Sequence, residues 1–219
     1  MPGSDGRAIV SVRATVVSLS LDEPYESTPL GSITAISCLL VEVRTRDGLE
    51  GLGHLAWYNP RSVAQIKSVK VLVEDLGQAL AGQDALRRGA LYERMKSLTS
   101  EALFEGIATM AIGVIDIALW DIAGKHAGMP LALLLGGLRD AVPVYESSRL
   151  SRDRLADLAS AAERVRAEGY RAAKVLAAGG GRMFADEVER IRTVRAALGP
   201  DIRLMVDCAR RLKIGRAHV

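Results

Sequence analysis

Asp207 is a candidate for chemistry because it lies directly after a short apolar run, residues 202–206, that is typical of a buried strand. In barrels of alternating strands and helices, the reactive groups lie at the carboxyl ends of the strands. A carboxylate at such a point can bind a hard cation, which prefers oxygen ligands. It can also cap the helix that follows the strand. The residues alone leave both roles open.

Asp207 follows the last of three apolar segments that alternate with amphipathic helices. Strands that alternate with helices of this length predict parallel βαβ units. An eight-unit TIM-like (β/α) barrel needs about 250 residues. We therefore expect an incomplete barrel over residues 138–212, cut after its third strand. The predicted strands are 142–145, 172–176 and 202–206, and the predicted helices are 152–168 and 184–198.

The first 137 residues follow another pattern, which predicts an α+β domain. Two runs of alternating apolar residues are joined by Asp47-Gly48, a strong hairpin signal. They indicate an antiparallel sheet of about three strands, followed by helices. The last helix is apolar on nearly every side, as expected for a helix buried between layers. The predicted strands are 9–21, 36–46 and 49–54, and the predicted helices are two within 62–98 and one over 103–127.

The composition is that of an ordinary globular protein, with 49% hydrophobic and 25% charged residues. The 29 Lys and Arg residues are interleaved with 26 Asp and Glu residues, so no basic patch for nucleic acid is expected. Cys38 and Cys208 are too far apart to suggest a disulfide framework or a zinc site. No signal segment or membrane-length apolar run is apparent. We expect a cytoplasmic protein that binds neither nucleic acid nor membranes.

The C-terminal residues 214–219 have an unusual sequence. They correspond to the translation of ATC GGA AGA GCA CAC GTC, which resembles a sequencing-library adapter. We expect residues 213–219 to be a non-native, adapter-derived tail, and a genuine basic tail is the alternative. Residues 1–212 are then interpreted as the front part of a longer enzyme.

Three motifs together resemble the enolase superfamily, in its mandelate racemase and muconate lactonizing enzyme branch. The resemblance covers residues 9–207. It implies a capping domain over residues 1–137, a modified (β/α) barrel, a bound Mg²⁺ and removal of a proton next to a substrate carboxylate. We expect a small carboxylate or sugar-acid substrate and a homo-oligomer in the complete protein. The motifs are the hairpin end Asp47-Gly48-Leu49-Glu50-Gly51-Leu52-Gly53-His54, the helix segment Asp116-Ile117-Ala118-Leu119-Trp120-Asp121-Ile122-Ala123-Gly124-Lys125, and Pro130-Leu131 with Leu134-Leu135-Gly136-Gly137.

The resemblance also assigns roles to residues of the barrel strands. Asp207 corresponds to the first metal-binding carboxylate, and the family contributes further carboxylates from its fourth and fifth strands. The second strand of the family often carries Lys-x-Lys, of which Lys174 matches the first lysine and Leu176 replaces the second, the usual base. Lys174 can neutralise a substrate carboxylate, or its stem can pack along the strand with the ammonium in solvent. Ala209 replaces the asparagine of the family's Asp-x-Asn.

Four residues are candidates for the substrate pocket. Tyr25 lies in a predicted loop over residues 21–34, and His54 and Tyr58 lie in another over 54–60. Both resemble loops that close over the substrate in this family. Ser147 follows the first predicted barrel strand and can bind a substrate carboxylate. A purely structural role for each residue is equally compatible with the sequence.

Leu176 favours dehydration over racemisation. A racemase needs a base on each face of the substrate carbon, whereas one base can remove a proton and return it to a leaving hydroxyl. We therefore expect the complete protein to be a Mg²⁺-dependent acid-sugar dehydratase. A racemase or cycloisomerase of the same family, or a non-catalytic carboxylate-binding relative, is the alternative. Residues 1–212 alone are expected to be inactive, and poorly soluble or oligomeric because sheet edges and apolar helix faces are uncovered.

Overall fold

The computed structural model describes residues 5–27, 31–57, 63–99, 106–147, 149–151, 155–177 and 184–208. The chain divides into two units, each of which is described separately. Unit 1 consists of residues 1–22 and 35–140, and unit 2 consists of residues 23–34 and 141–219. The division therefore falls three residues after the predicted boundary at 137, and it groups the segment 23–34 with the later part of the chain.

A three-stranded sheet opens the chain, with the strands in the order β1-β2-β3. β2 and β3 are antiparallel, with Arg44 opposite Glu50. The Asp-Gly hairpin prediction is confirmed, since the Thr45 N–H donates to the Leu49 carbonyl at 2.9 Å and Gly48 supplies the positive φ of 88° that the turn requires. The strands are β1 (Ile9–Ser27), β2 (Gly31–Thr45) and β3 (Glu50–Trp57).

The predicted loop over residues 21–34 is wrong in its extent. β1 continues to Ser27 and β2 begins at Gly31, so strand structure occupies most of that segment. The segment is polar, which favoured a loop in the sequence. Backbone pairing between neighbouring strands satisfies the N–H and C=O groups without an apolar side chain, and a long hairpin can therefore extend through polar residues.

Helices cover one face of the sheet and form the core of unit 1. The first helix buries Ile66, Val69, Val73 and Leu76 on one face, whereas Val63 is 39% exposed because it begins the helix. The last long helix ends at Gly128 in the left-handed conformation, with the Met129 N–H donating to the Gly124 carbonyl at 2.9 Å. The helices are α1 (Val63–Leu80), α2 (Arg88–Thr99), α3 (Ile107–Ala127) and the short α4 (Leu131–Leu134).

α3 is the central helix of unit 1. It has the length and hydropathy of a membrane span, but 56% of its most apolar window is buried inside the protein. Its buried residues from Ala111 to Ile122 belong to the core cluster that also contains Leu39 and Val41 of β2 and Val69 and Val73 of α1. The apolar character of α3 is therefore explained by packing within unit 1.

α3 lies directly on β3 because two glycines allow the backbones to touch. A Cβ atom added at Gly53 would lie 2.0 Å from the Val114 carbonyl oxygen, and one at Gly51 would lie 2.1 Å from the Ala118 carbonyl oxygen. Real Cβ atoms essentially never approach another atom so closely. The Gly-x-Gly of β3 is therefore required by the helix that packs on it.

Two polar side chains of α3 also bind the backbone of β3. Asp121 accepts a hydrogen bond from the Leu52 N–H at 2.8 Å and another from Lys125 at 2.8 Å. The Lys125 ammonium also donates to the Glu50 carbonyl at 2.7 Å. β3 is an edge strand of the described sheet. These contacts satisfy backbone groups that would otherwise be open to pairing with another chain.

A charged pair joins the start of the chain to the segment before α2. Arg7 donates to both carboxylate oxygens of Asp84, at 2.8 Å for the shortest contact. Asp84 also accepts the Leu86 N–H at 3.0 Å. The hydrogen bond from Arg7 is the main reason that the pKa of Asp84 lies below its usual value, although burial acts in the opposite direction. The pair stabilises the folded state only while Asp84 is ionised.

Asp84→Asn is expected to lower the free energy of unfolding at pH 7 by about 1–3 kcal/mol, the usual range for a hydrogen-bonded charged group. Because the folded pKa is depressed, this stabilisation is present above the unfolded value near 3.9 and is lost as the pH falls through the folded value. The gap between wild type and variant should therefore close on acidification. Urea denaturation at several pH values from 7 to 3 measures it.

Glu93→Gln is the control, because Glu93 forms an exposed contact of 3.3 Å with Lys96. Its effect on unfolding should stay below about 1 kcal/mol at every pH. A difference between wild type and Asp84→Asn that is the same at pH 7 and pH 3 would contradict the assigned role of the Arg7 pair.

Unit 2 contains the predicted βαβ arrangement. Two parallel strands pair here, with Ala172 opposite Arg203 and Leu176 opposite Asp207. The core lies between the strands and the helices, where Val165 and Val175 are almost fully buried. Leu155 begins its helix and is 36% exposed. The elements are α5 (Leu155–Ala167), β4 (Ala172–Leu176), α6 (Phe184–Leu198) and β5 (Arg203–Asp207).

The predicted first barrel strand, residues 142–145, does not form a regular strand. Among the described residues near this segment, Glu146, the residue that follows it, forms one parallel bridge with Ala173 of β4. Pro143 has no backbone N–H to donate to a ladder. Val142 and Val144 are 67% and 68% exposed. The described residues therefore provide neither the hydrogen bonds nor the apolar cover that a full strand needs.

Candidate functional site

The two faces of β4 and β5 differ in chemistry. Ala173 and Val175 are buried in the core of unit 2. Because successive side chains of a strand point to opposite faces, Lys174 and Leu176 lie on the other face of β4. The register places Leu176 next to Asp207 on β5. This second face is the candidate functional site.

Lys174 and Asp207, the two residues predicted for catalysis and metal binding, lie together on this face. The Lys174 Nζ is 3.0 Å from the Asp207 Oδ2. Their side chains are 26% and 41% exposed, so the pair is open to small solutes. Such a pair contributes at most about 1 kcal/mol to stability. Its position at the carboxyl ends of parallel strands is the more informative property.

Leu176 cannot take part in proton transfer on this face. Its side chain stands beside Asp207 in the register, and an alkyl group can neither accept nor donate a proton. The face therefore combines a cation and a carboxylate with an apolar neighbour. The arrangement can bind and polarise an anionic group, but this position holds no base.

Tyr145 is a neighbour of Lys174 that sequence reasoning missed. The Lys174 Nζ lies 5.8 Å from the centroid of the Tyr145 ring, which is within the range of a cation–π contact. Tyr145 is 45% exposed. It is the last residue of the predicted strand 142–145, but the sequence does not determine the register between that strand and the next one.

Glu146 is the second missed residue, and it is 6% exposed. Its carboxylate accepts the Arg149 N–H at 2.9 Å. Its backbone carbonyl accepts the Lys174 N–H at 2.8 Å. Ser147 follows directly and is exposed. Ser147, the predicted pocket residue, thus directly follows the residue that bridges to β4.

The other predicted pocket residues are His54, Tyr25 and Tyr58. His54 is exposed in β3 of unit 1, opposite Leu40. β3 continues to Trp57, so the first residues of the predicted loop 54–60 belong to the strand. Tyr25 lies on β1, and its side chain is outside the part that the structure describes, as is the whole of Tyr58.

Unit 1 also contains a cleft of about 310 Å³, which is lined by residues between Asp121 and Leu131. Its charged residues are Asp121 and Lys125. Both bind the backbone of β3. The cleft therefore lies at the C-terminal end of α3, and both of its charged side chains serve the contact between α3 and β3.

Asp207 fits a Mg²⁺ site as a single ligand, because its carboxylate oxygens are the donors that this hard cation prefers. Across the part of the chain that the structure describes, no group of three His, Cys, Asp or Glu residues could hold a metal ion. A bound Mg²⁺ would stabilise negative charge that develops on a substrate carboxylate. In this chain, Asp207 would hold the ion and Lys174 would stand beside it.

Comparison with known families matches both parts of the chain. Residues 10–136 match the mandelate racemase / muconate lactonizing enzyme N-terminal domain, and residues 157–218 match the enolase C-terminal domain-like family. The first match alone covers more than half of the 219 residues. It contains the Gly-x-Gly of β3 and the whole of α3, whose contact is described above.

Individual relatives agree with these matches. The chain is 32% identical to D-galactarolactone cycloisomerase of Agrobacterium fabrum, over 91% of this chain and 51% of the relative. It is 32% identical to L-talarate/galactarate dehydratase of Salmonella typhimurium, over 80% of this chain and 43% of the relative. The chain thus spans about half the length of the curated relatives it matches.

Solved structures show the same fold. An enolase from Bradyrhizobium, complexed with magnesium and mandelic acid, superposes with a TM-score of 0.83 at 31% identity, over 96% of this chain and 56% of that one. Other structural neighbours were also solved with bound magnesium. The capping sheet and helices, the parallel βαβ unit and the family matches agree, and the chain belongs to the mandelate racemase and muconate lactonizing enzyme family of the enolase superfamily.

Proposed function

We propose that the complete protein containing this chain is a Mg²⁺-dependent acid-sugar dehydratase. In this proposal Asp207 is a magnesium ligand, and Lys174 neutralises the substrate carboxylate. The observation that carries the proposal is the 3.0 Å contact between Lys174 and Asp207 on one face of the βαβ unit, with Leu176 in place of a base beside them.

The chemistry requires charge stabilisation before anything else. A proton on the carbon next to a carboxylate is very weakly acidic, and its removal places a second negative charge on the carboxylate oxygens. A metal ion and preorganised cationic donors lower the energy of that state. Lys174 is partly desolvated, at 26% exposure of its side chain, so its charge acts on a nearby anion more strongly than in bulk water.

Leu176 determines which reaction we favour. Dehydration is compatible with one base, which removes the proton and then returns it to the leaving hydroxyl. Racemisation needs proton transfer on both faces of the carbon, and Leu176 contributes none on its face. L-Talarate/galactarate dehydratase and arabinonate dehydratase are among the relatives of this chain, which supports the dehydratase proposal.

Cycloisomerisation is the second candidate, and a specific observation favours it. Two relatives that match 91% of this chain at 32% identity are D-galactarolactone cycloisomerase and 3,6-anhydro-alpha-L-galactonate cycloisomerase. A D-Ala-D/L-Ala epimerase matches at 28% identity, so racemisation stays the third enzymatic alternative. All of these reactions use a carboxylate substrate, for which Lys174 is suited.

The pocket residues and the cellular context complete the proposal. We assign Tyr25, His54, Tyr58 and Ser147 to the substrate pocket, with Ser147 best supported because it follows the residue whose carbonyl accepts the Lys174 N–H. The protein is expected to be a cytoplasmic homo-oligomer that acts on small sugar acids and binds neither nucleic acid nor membranes.

Product analysis of the complete gene product tests the proposal. We expect Mg²⁺-dependent conversion of at least one acid from a panel of aldonic and aldaric acids to a 2-keto-3-deoxy product, detected with a carbonyl reagent. Chelation of the metal should abolish the signal. Deuterium exchange on both enantiomers of a 2-hydroxy acid without a keto product would establish a racemase instead. Formation of the keto product from a lactone or anhydro sugar acid, with the ring oxygen as the leaving group and no water released, but from no open-chain acid, would establish a cycloisomerase. Binding without turnover would establish a non-catalytic relative.

A further inference from the structure

Glu146 has two separate sets of contacts at the edge of the candidate site. Its backbone forms the only bridge between the segment 142–147 and β4 among the described residues. The Glu146 N–H donates to the Ala172 carbonyl at 3.1 Å, and the Glu146 carbonyl accepts the Lys174 N–H at 2.8 Å. The peptide group that joins Glu146 to Ser147 is therefore the group that binds the Lys174 backbone.

The side chain of Glu146 holds the turn that follows. One carboxylate oxygen accepts the Arg149 N–H at 2.9 Å. The other lies 3.5 Å from the Arg149 guanidinium. Arg149 also contacts Glu168 at 2.5 Å, and this hydrogen bond is the main reason that the pKa of Arg149 lies above its usual value. The turn is thus connected at one end to a buried carboxylate and at the other to the end of α5.

Burial shows which side of the strand this carboxylate occupies. Glu146 is 6% exposed, and its bridge partner Ala173 is fully buried. Leu150, in the same turn, is fully buried in the core of unit 2. Lys174 lies on the opposite face of β4 from Ala173. The Glu146 carboxylate is therefore on the core side, away from the face where an anionic substrate would bind.

We propose that Glu146 is a positioning residue that fixes Ser147 beside Lys174, so that the Ser147 hydroxyl and the Lys174 ammonium receive the same carboxylate group. The use of Ser147 and Lys174 for a carboxylate rests on the proposed function. The positioning itself rests on the contacts of Glu146. A buried acceptor that bonds the backbone N–H two residues after Ser147 restricts the turn, and preorganisation of this kind strengthens binding by lowering its entropy cost.

Two substitutions separate the hydrogen bond from the bulk of the side chain. Glu146→Gln keeps an oxygen that can accept the Arg149 N–H. Glu146→Leu fills the buried position with an apolar side chain of similar size but removes the hydrogen-bond acceptor. Glu163→Gln, at an exposed position of α5, controls for the loss of a carboxylate. Each variant is made in the complete protein containing this chain and checked for folding by its amide NMR spectrum.

The first measurement is the ¹⁵N order parameter of the Ser147 amide. We expect wild type, Glu146→Gln and Glu163→Gln to be near the rigid value of about 0.85, and Glu146→Leu to fall below about 0.6. Amides of α6 should be unchanged in all four proteins. An equally ordered Ser147 in Glu146→Leu would overturn the proposal, whether or not any ligand binds.

The second measurement is a titration with galactarate, followed at the Ser147 and Lys174 amides. The dissociation constant of Glu146→Gln should stay within about twofold of wild type, whereas Glu146→Leu should bind at least about tenfold more weakly. Unchanged galactarate binding by Glu146→Leu despite a mobile Ser147 would also overturn the proposal, because the turn would then have only a structural role. No shift of either amide in wild type would count against the proposed carboxylate site, while the order parameters would still decide whether Glu146 positions Ser147.

Discussion

Gly53→Ala is expected to destabilise unit 1 by at least about 3 kcal/mol, and thus to remove a large part of its stability. The new Cβ would lie 2.0 Å from the Val114 carbonyl oxygen. That atom belongs to the backbone of α3, so no flexible side chain can move aside. The helix must separate from β3, and the contacts of Asp121 and Lys125 with the strand would be stretched as well. Urea denaturation followed by circular dichroism measures the loss.

Gly113→Ala is the matched control. Gly113 lies in α3, the helix that packs on Gly53, and a Cβ at Gly113 would meet nothing within 4 Å. Replacing a mid-helix glycine by alanine should stabilise the protein by about 0.5–1 kcal/mol. Opposite signs for the two glycine substitutions would show that close approach, rather than helix propensity, decides the result. A Gly53→Ala variant that unfolds at the same urea concentration as wild type would contradict the direct packing of α3 on β3.

The contact between Gly53 and α3 is a part of the fold that the local sequence pattern could not predict. Periodicity and turn residues act over a few positions, so the Asp47-Gly48 turn and the ends of β4 and α6 could be predicted closely. The partner of Gly53 lies 61 residues later in the chain, at Val114. Local patterns contain no information about that pairing. The glycines were recognised as part of a motif, but their physical reason becomes visible only in the packing.

The candidate site shows the same limit in its chemistry. Lys174 and Asp207 were each identified by their strand positions and by resemblance, and the structure brings them together. Glu146 was missed because its role depends on a bridge to Ala173 and on burial, neither of which the sequence pattern determines. Tyr145 was missed for the same reason, since its contact with Lys174 follows from the register between two segments.

Asp207→Asn in the complete protein is expected to lower Mg²⁺-dependent turnover by at least about 100-fold and to weaken Mg²⁺ binding. Loss of a metal ligand should cost at least as much as loss of a residue that only orients one, for which 10–100-fold is typical. Protein stability should change by no more than about 1 kcal/mol, because the Lys174 pair is partly exposed. Steady-state kinetics and calorimetric titration with Mg²⁺ measure the two effects. Asp201→Asn, at an exposed position before β5, is the control.

Lys174→Met separates the two roles that are assigned to the pair. Removing a positive charge 3.0 Å from Asp207 should leave Mg²⁺ affinity unchanged or raise it, because like charges repel. The same change should weaken the sugar-acid substrate and slow turnover, since the substrate carboxylate loses its cation. Asp207→Asn is thus expected to lower Mg²⁺ affinity and Lys174→Met is not, while both substitutions reduce turnover. If both substitutions weakened Mg²⁺ binding equally, Lys174 would act only by orienting Asp207. If neither changed it, Asp207 would be a strand-end residue outside the metal site.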